Sequence, residues 1–246
     1  MSRVLTGRRL VLAIAAVVAT VAGAGGTALA LTTSAPSHAV AVSRGDLTRA
    51  ALKVTAGTPF LDVSMGRLGG TLLHVSTPDG APVRPVLSGS QLIVLSLAGA
   101  TGPSAQGSGY VVKVVLNSAV TWSLDLAGGT QRTQVDLRGG KVAGVAVMAG
   151  SAVLDVSLPR PSGTLPFLLA GGVSQFRLSL PGGVPVQVTV GGGASSVSVD
   201  DQKLTGIAGG TVLTPPGWAS ATSRFDIDAI SGFSQLTVSR WSADGS

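Results

Sequence analysis

Apolar residues alternate with polar residues in short runs between Trp122 and Val199, and each run ends at a turn. In the first run Trp122, Leu124 and Leu126 are separated by Ser123 and Asp125. A period of two is that of a β-strand with one buried face and one solvent-facing face. The pattern therefore predicts a series of strands, each with an apolar inner side.

These strands recur at a nearly constant interval. The last inward-pointing apolar residues of the runs are Leu126, Leu137, Val147, Leu158, Leu169, Leu180, Val190 and Val199, at intervals of 9 to 11 residues. Glycine pairs such as Gly128-Gly129 and Gly171-Gly172 lie between the runs, where glycine permits tight turns. A fixed interval predicts an all-β fold, a β-solenoid in which each strand is a half-coil of about 11 residues and each coil stacks on the next.

The same pattern allows a second arrangement. Glycine pairs between alternating runs are also typical of hairpins, which would give an antiparallel β-sandwich. In the solenoid, a coil of about 21 or 22 residues would place Asp125 over Val147 and Asp136 over Leu158, within one position. The acidic side chains would then not form one line on one sheet.

The N-terminus indicates export. Arg3, Arg8 and Arg9 precede an uncharged stretch, 10–31, that is rich in Ala and Val. Such a segment, residues 1–31, is either a signal peptide or a transmembrane anchor that forms one N-terminal hydrophobic helix. Cleavage would fall near Ala30 or Ala39, after small-x-small sequences. In both cases we expect the rest of the chain to lie outside the cytoplasm, tethered to the membrane through 10–31 or secreted.

The remaining chain divides by its pattern. Residues 32–46 form a predicted polar linker, and 47–109 form an N-terminal β region with looser spacing. The Gly-rich β-repeat domain spans 110–240, with a C-terminal cap from about 211, and 241–246 are a predicted free tail. An atypical terminal unit is expected at the end of a solenoid, because an open end invites edge pairing.

Charge and composition narrow the function classes. The chain has no cysteine, which excludes disulfides and thiol catalysis. The net charge of +6 includes the three arginines before the apolar stretch, so 6 − 3 leaves about +3 on the exported part. No basic cluster with interleaved aromatic residues is present, which argues against nucleic-acid binding. A mildly positive exterior is compatible with anionic wall polymers or an envelope protein as partner.

The candidate catalytic residues do not form a recognisable set. Paired carboxylates cleave glycosides, and the acids considered are Asp125, Asp136, Asp155, the pair Asp226 and Asp228, and the turn residues Asp200 and Asp201. The turn acids lack the Asp-Gly-rich loop of known calcium sites. His38 and His74 are too few for a zinc site or a catalytic triad. We therefore predict no catalytic, cofactor-binding or metal-ligating residues and no cofactor.

The repeat resembles a known family. It is similar to the exported, glycine-rich β-solenoid proteins of the putative-adhesin group, which are related to toast-rack domains. The similarity rests on Leu124-Asp125-Leu126-Ala127-Gly128-Gly129, on Val135-Asp136-Leu137-Arg138-Gly139-Gly140 and on the ending from Pro216-Gly217-Trp218 to Phe225-Asp226-Ile227-Asp228. The composition is similar to that of actinobacterial members of the group. The resemblance covers about 110–240. It implies an extracytoplasmic module without catalytic residues.

Together these observations predict an extracytoplasmic β-repeat module that serves as an interaction, adhesion or sensing surface at the cell envelope and is not an enzyme. Two alternatives stay open. The first is a polysaccharide-active β-helix enzyme, and the second is a structural spacer that holds a partner away from the membrane.

Overall fold

The structure is a computed structural model that describes residues 37–99, 109–200 and 202–242. The described residues are all-β, which confirms the predicted fold class. Their strands are β1 (Ala39–Ser43), β2 (Arg49–Val54), β3 (Thr58–Gly66), β4 (Thr71–Ser76), β5 (Val83–Ser88), β6 (Leu92–Gly99), β7 (Val111–Asn117), β8 (Thr121–Leu126), β9 (Thr130–Asp136), β10 (Lys141–Val147), β11 (Ser151–Ser157), β12 (Thr164–Leu169), β13 (Val173–Pro181), β14 (Val186–Val190), β15 (Ala194–Val199), β16 (Gln202–Ile207), β17 (Thr211–Leu213), β18 (Arg224–Ala229) and β19 (Phe233–Trp241).

The strands form two mixed sheets. Sheet A has ten strands in the order β1-β4-β7-β3-β9-β11-β13-β19-β15-β16, and sheet B has nine in the order β17-β14-β18-β12-β10-β8-β2-β6-β5. Most neighbours are parallel, and the antiparallel pairs lie toward the ends of each sheet. We call a sheet B strand, the corner after it and the following sheet A strand a rung.

The central rungs stack as the interval predicts. They are β8–β9, β10–β11 and β12–β13, and their strands are parallel in both sheets. Leu126 pairs with Val147, which is 21 residues later, and Val147 pairs with Leu169, which is 22 residues later. Parallel stacking at this offset matches the predicted solenoid in these rungs, whereas hairpins would have paired consecutive strands such as β8 and β9 with each other.

The outer rungs do not follow the order of the chain. Leu169 pairs with Ala229 of β18, and Val190 of β14 pairs with the other edge of the same strand. The interval predicts that the strands ending at Val190 and Val199 continue the stack. The predicted cap from about 211 would then place β18 and β19 at its end. This part of the prediction was wrong, because β18 lies between β12 and β14. Likewise β2–β3 lies between β6–β7 and β8–β9. An interior position gives both edges of an inserted strand a hydrogen-bonded neighbour.

The N-terminal predictions are only partly within the described residues. The hydrophobic stretch 10–31 and its helix lie outside them. The predicted linker 32–46 contains β1, in which Val42 is buried and which pairs with β4. No helix of the described residues is long and apolar enough to cross a membrane.

The core lies between the two sheets and runs through every rung. It includes residues from the N-terminal β region and from the repeat in one contiguous cluster. Phe167 of sheet B stacks on Phe176 of sheet A, with ring centroids 5.3 Å apart and ring planes at 23°. The alternating side chains of both sheets thus meet in the interior, as the period of two requires.

Glycines at the corners allow the rungs to approach each other. A Cβ on Gly171 would lie 2.1 Å from the carbonyl oxygen of Ala149, and one on Gly128 would lie 1.9 Å from that of Ala56. Neither glycine lies in the left-handed region of φ. These corners therefore need glycine for close backbone contact between rungs rather than for the positive φ that a tight turn suggests.

Gly171→Ala should destabilise the protein by about 1–3 kcal/mol or more, because the methyl group would collide with backbone that cannot rotate away. Gly182→Ala is the matched control, since its Cβ would lie 3.8 Å from the nearest atom, the carbonyl oxygen of Trp241. Urea unfolding followed by circular dichroism measures both. Equal midpoints for the two variants would contradict the proposed corner contact.

Candidate functional site

The outer faces of the two sheets differ in chemistry. Sheet A carries rows of polar side chains across its parallel strands. One row is Asp62, Gln134, Asp155, Arg177, Thr237 and Ser198, and a second is Ser64, Asp136, Ser157, Ser179 and Ser239. The centre of the outer face of sheet B instead holds small or apolar residues, among which Ala51, Ala146 and Leu168 are buried.

Two carboxylates on sheet A, those of Asp136 and Asp155, are paired with arginines. Arg138 donates two hydrogen bonds to Asp136, at 2.9 and 2.6 Å, and these hold the pKa of Asp136 below its usual value. Asp155 lies between Arg177 at 3.0 Å and Arg132 at 3.8 Å. Exposed pairs of this kind contribute about 0–1 kcal/mol each. They leave neither carboxylate available as a base.

Two further acids are paired elsewhere. On sheet B, Lys53 Nζ lies 2.9 Å from Asp125, its register neighbour. Next to the end of β15, Arg240 donates to both carboxylate oxygens of Asp200, at 2.6 and 3.0 Å, and lowers the pKa of that carboxyl. The predicted turn partner Asp201 lies outside the described residues.

Asp226 and Asp228 are different, because no Lys, Arg or His of the described residues lies within ion-pair distance of them. Both point outward from β18 on sheet B. Asp226 is only 5% exposed, and its Oδ1 is buried without a hydrogen-bond partner. Burial raises the pKa of Asp226, with a further contribution from the charge of Asp228, and burial also raises the pKa of Asp228.

Residues from the two neighbouring strands flank this acid pair. Gln187 and Thr189 of β14 are the register neighbours of Asp226 and Asp228 on one side, and Pro166 and Leu168 of β12 are their neighbours on the other. Gln187 uses its amide nitrogen to donate to Thr214 Oγ1 at 2.7 Å. The contact with Thr214 therefore uses the amide nitrogen of Gln187 and does not involve its side-chain carbonyl oxygen.

The nearby arginine is occupied by other partners. The guanidinium of Arg224 stacks over the ring of Trp218, 4.6 Å from its centroid. It donates to Thr164 Oγ1 at 2.8 Å and to the carbonyl oxygen of Ala219 at 2.7 Å. Trp218 in turn donates to the backbone carbonyl of Phe225 at 2.8 Å. Arg224 lowers the pKa of Asp226 through its charge, but this effect is smaller than that of burial.

The sequence placed some of these residues correctly and missed others. Asp125 pairs with Ala146 and Asp136 with Ser157, each within one position of the predicted neighbour, so the acids do not line up. His38 contacts Thr77 and His74 lies on β4, in different places from the acid pair. No pattern in the sequence joins Gln187 to Asp226, because their pairing depends on the insertion of β18 beside β14.

The acid pair can be compared with the two carboxyl groups of a glycosidase site. Glycoside cleavage needs one protonated carboxyl group and one ionised carboxylate, created by environments that push the two pKa values apart. Here burial moves the pKa of both groups in the same direction. Within the described part of the chain, no three His, Cys, Asp or Glu side chains converge on one point.

The stack ends in an apolar groove beyond the last rung. The groove has a volume of about 1030 Å³ and lies between the terminal strands of the two sheets, with Val188, Val197 and Leu213 among its lining residues. Leu204 of β16 and Val212 of β17 are exposed there. This end is therefore bounded by short antiparallel strands and not by β18 and β19.

Asp226→Asn should stabilise the protein above the pKa of Asp226, because it removes a charge that burial disfavours. The folded-state pKa is raised, so the penalty is present at about pH 8 and disappears as the pH falls through that pKa toward about 4. We expect a melting temperature a few degrees above wild type at the higher pH and no difference at the lower one, measured with a chelator present. Asp62→Asn on sheet A is the control. A lower melting temperature for Asp226→Asn at both pH values would contradict this account.

Comparison with known proteins gives a likeness of fold. No protein-family model matches the chain, and no curated protein matches it. A crystal structure of a putative cell adhesion protein from Clostridium sporogenes is similar, with a TM-score of 0.61 and 14% identity over 82% of this chain and 98% of that one. A putative adhesin from Bacteroides fragilis aligns over 84% of this chain and 99% of its own, with 12% identity and a TM-score of 0.31. The first likeness, at this identity, concerns the fold alone.

Proposed function

We propose that this chain is an extracytoplasmic interaction module whose contact surface is the outer face of sheet A, and that it is not an enzyme. The observation behind the proposal is the regular polar surface of that face. Its parallel strands present Ser, Thr, Gln, Asp and Arg in rows, with successive side chains of a row about 4.8 Å apart. Such a surface offers many weak polar contacts to an extended partner, which suits a wall polymer or an envelope protein.

The partner's chemistry follows from the charges on the face. Arg132 and Arg177 are about half exposed and hold Asp155 between them, so two cations share one anion. The local surplus of positive charge favours an anionic polymer, and the exported part as a whole carries about +3, from 6 − 3. The likeness to a putative cell adhesion protein supports an adhesion role through the fold, and fold by itself does not fix function.

Two other functions compete with this proposal. A polysaccharide-active enzyme would need an acid and a base. On sheet A, Asp136 and Asp155 are bound to arginines. On sheet B, burial raises the pKa of both Asp226 and Asp228. A structural spacer would need only the stacked core and no specific face. A binding module differs from both the enzyme and the spacer in one testable respect. Its attachment to the cell envelope should depend on one face of the protein and not on the other.

The N-terminal segment would place this module at the envelope. We propose that 10–31 either anchors it in the membrane or is removed near Ala30. Cleavage at Ala39 is disfavoured by the fold, because it would remove His38, whose Nδ1 lies 2.9 Å from Thr77 Oγ1, and the first residue of β1. Cleavage near Ala30 would leave β1 intact.

Removing the two arginines of the face should abolish attachment. In the variant Arg132→Ser/Arg177→Ser we expect binding to sedimented cell envelopes to fall at least about tenfold, since both cations that would meet an anionic polymer are lost. The matched control is Lys53→Ser/Lys141→Ser on sheet B, which removes the same charge from the opposite sheet. Bound and free protein are quantified after centrifugation.

The outcomes separate the alternatives. Loss in the sheet A variant with retention in the control supports the proposal. Equal loss in both would mean that net charge and not the face determines attachment. No attachment of the wild-type protein would favour the spacer, and release of a soluble glycan by the wild type would favour the enzyme.

The location of the chain is tested with a C-terminal tag and sequencing of the N-terminus of the tagged protein. We expect either an intact N-terminus in the membrane fraction or a new one near Leu31 in the medium. A tagged protein with an intact N-terminus in the cytosolic fraction would contradict export.

A further inference from the structure

Asp226 is a buried carboxylate that the proposed interaction face does not use. It is 95% buried by its 5% exposure, and its Oδ1 meets no hydrogen-bond donor. An ionised carboxylate without a partner is costly to bury, so a buried carboxyl group is usually paired, bound to a metal or protonated. No cation of the described residues forms an ion pair with it, and Arg224, which is held by Thr164, Ala219 and Trp218, offsets its charge only in part.

Oxygen atoms from two adjacent strands surround this position. Asp226 and Asp228 point to the same side of β18, and Gln187 and Thr189 are their register neighbours on β14. In a parallel pair, neighbouring side chains on one face lie about 5 Å apart. Because the amide nitrogen of Gln187 binds Thr214, the side-chain oxygen of Gln187 is free to face the acids. Two carboxylates, one amide oxygen and one hydroxyl therefore border the same patch.

We propose that Asp226 and Asp228, with Gln187 and Thr189, bind a calcium ion on the outer face of sheet B. All four donors are hard oxygen atoms, the ligands that calcium takes, and calcium accepts an irregular set of six to eight oxygens that water can complete. Magnesium demands a near-ideal octahedron and gives up water reluctantly, so it fits a flat sheet face less well. The prediction from sequence that no metal is bound rested on the lack of an Asp-Gly-rich loop, and this site uses no loop.

The ligand set limits the affinity. Only two carboxylates contribute negative charge, and Arg224 lies close enough to lower the pKa of Asp226. Calcium sites of few charges in extracellular modules have dissociation constants of about 10⁻⁴–10⁻³ M. The site would be filled outside the cell and empty at cytosolic calcium concentrations, so it would tighten the β14–β18 contact only after export.

Calcium binding on sheet B is independent of the interaction face of sheet A and is tested separately. The full chain is titrated with CaCl₂ by calorimetry, and with TbCl₃ while tryptophan is excited. Terbium replaces calcium at oxygen sites and emits when a nearby indole transfers energy, and Trp218 hydrogen-bonds Phe225, the residue before Asp226. We expect a calcium dissociation constant of about 10⁻⁴–10⁻³ M and terbium emission that calcium displaces.

Variants distinguish calcium binding at Asp226 and Asp228 from a general attraction of calcium to acidic side chains on the surface. Asp226→Asn and Asp228→Asn should each weaken calcium binding at least about tenfold, and Gln187→Ala should weaken it less, because a neutral ligand is lost. Asp62→Asn removes the same charge from sheet A and should leave binding unchanged. Asp226→Asn is expected to fold, since it relieves a buried charge, and circular dichroism verifies this. The proposal is overturned if wild type binds no calcium at millimolar concentration, or if Asp226→Asn and Asp228→Asn bind like wild type, or if Asp62→Asn loses binding equally.

Discussion

The structure depends on the burial of one apolar face by every strand. A strand that alternates Leu or Val with Ser, Asp or Arg cannot be stable alone, and here each inner face meets the opposite sheet in a contiguous core. Stacking adds a second requirement, because the backbone edges of each rung must pair with the rungs on both sides. Gly128 and Gly171 satisfy that requirement at the corners, where their missing side chains allow one rung to contact the next.

The order of the rungs has consequences for the surface. Because β18 inserts between β12 and β14, Asp226 and Asp228 lie in the interior of sheet B although they are near the end of the sequence. An acid in the middle of a sheet is flanked on both edges and is more buried than one on a terminal strand. The same insertion leaves β16 and β17 as the terminal strands at this end, and the apolar groove lies between the terminal strands of the two sheets. Asp136 and Asp155 of sheet A differ because Arg138, just after β9, and Arg177, on the neighbouring strand β13, reach them.

Local pattern was enough to predict the strands and much of their stacking. The alternation from Trp122 onward predicted which side chains are buried, and the interval predicted the parallel neighbours of Leu126 and Val147. The pattern could not predict that Leu169 pairs with Ala229, because β14 and β18 have the same alternation and either could fill that position. The candidate site shares this limit, since Asp226 and Asp228 are visible as an acid pair in the sequence but Gln187 joins them only through the insertion.

The insertion of β18–β19 can be tested directly, because the chain has no cysteine of its own. Ser198 of β15 and Arg177 of β13 are both register neighbours of Thr237 on β19. Ser198→Cys/Thr237→Cys should form a disulfide on oxidation, since adjacent strands bring Cα atoms within the range of about 4.4–6.8 Å. Arg177→Cys/Ser198→Cys should not, because two strand spacings separate these residues by roughly 9.6 Å. Efficient crosslinking of the second pair and none of the first would mean that the rungs stack in chain order, and would contradict both the fold and the calcium site built on it.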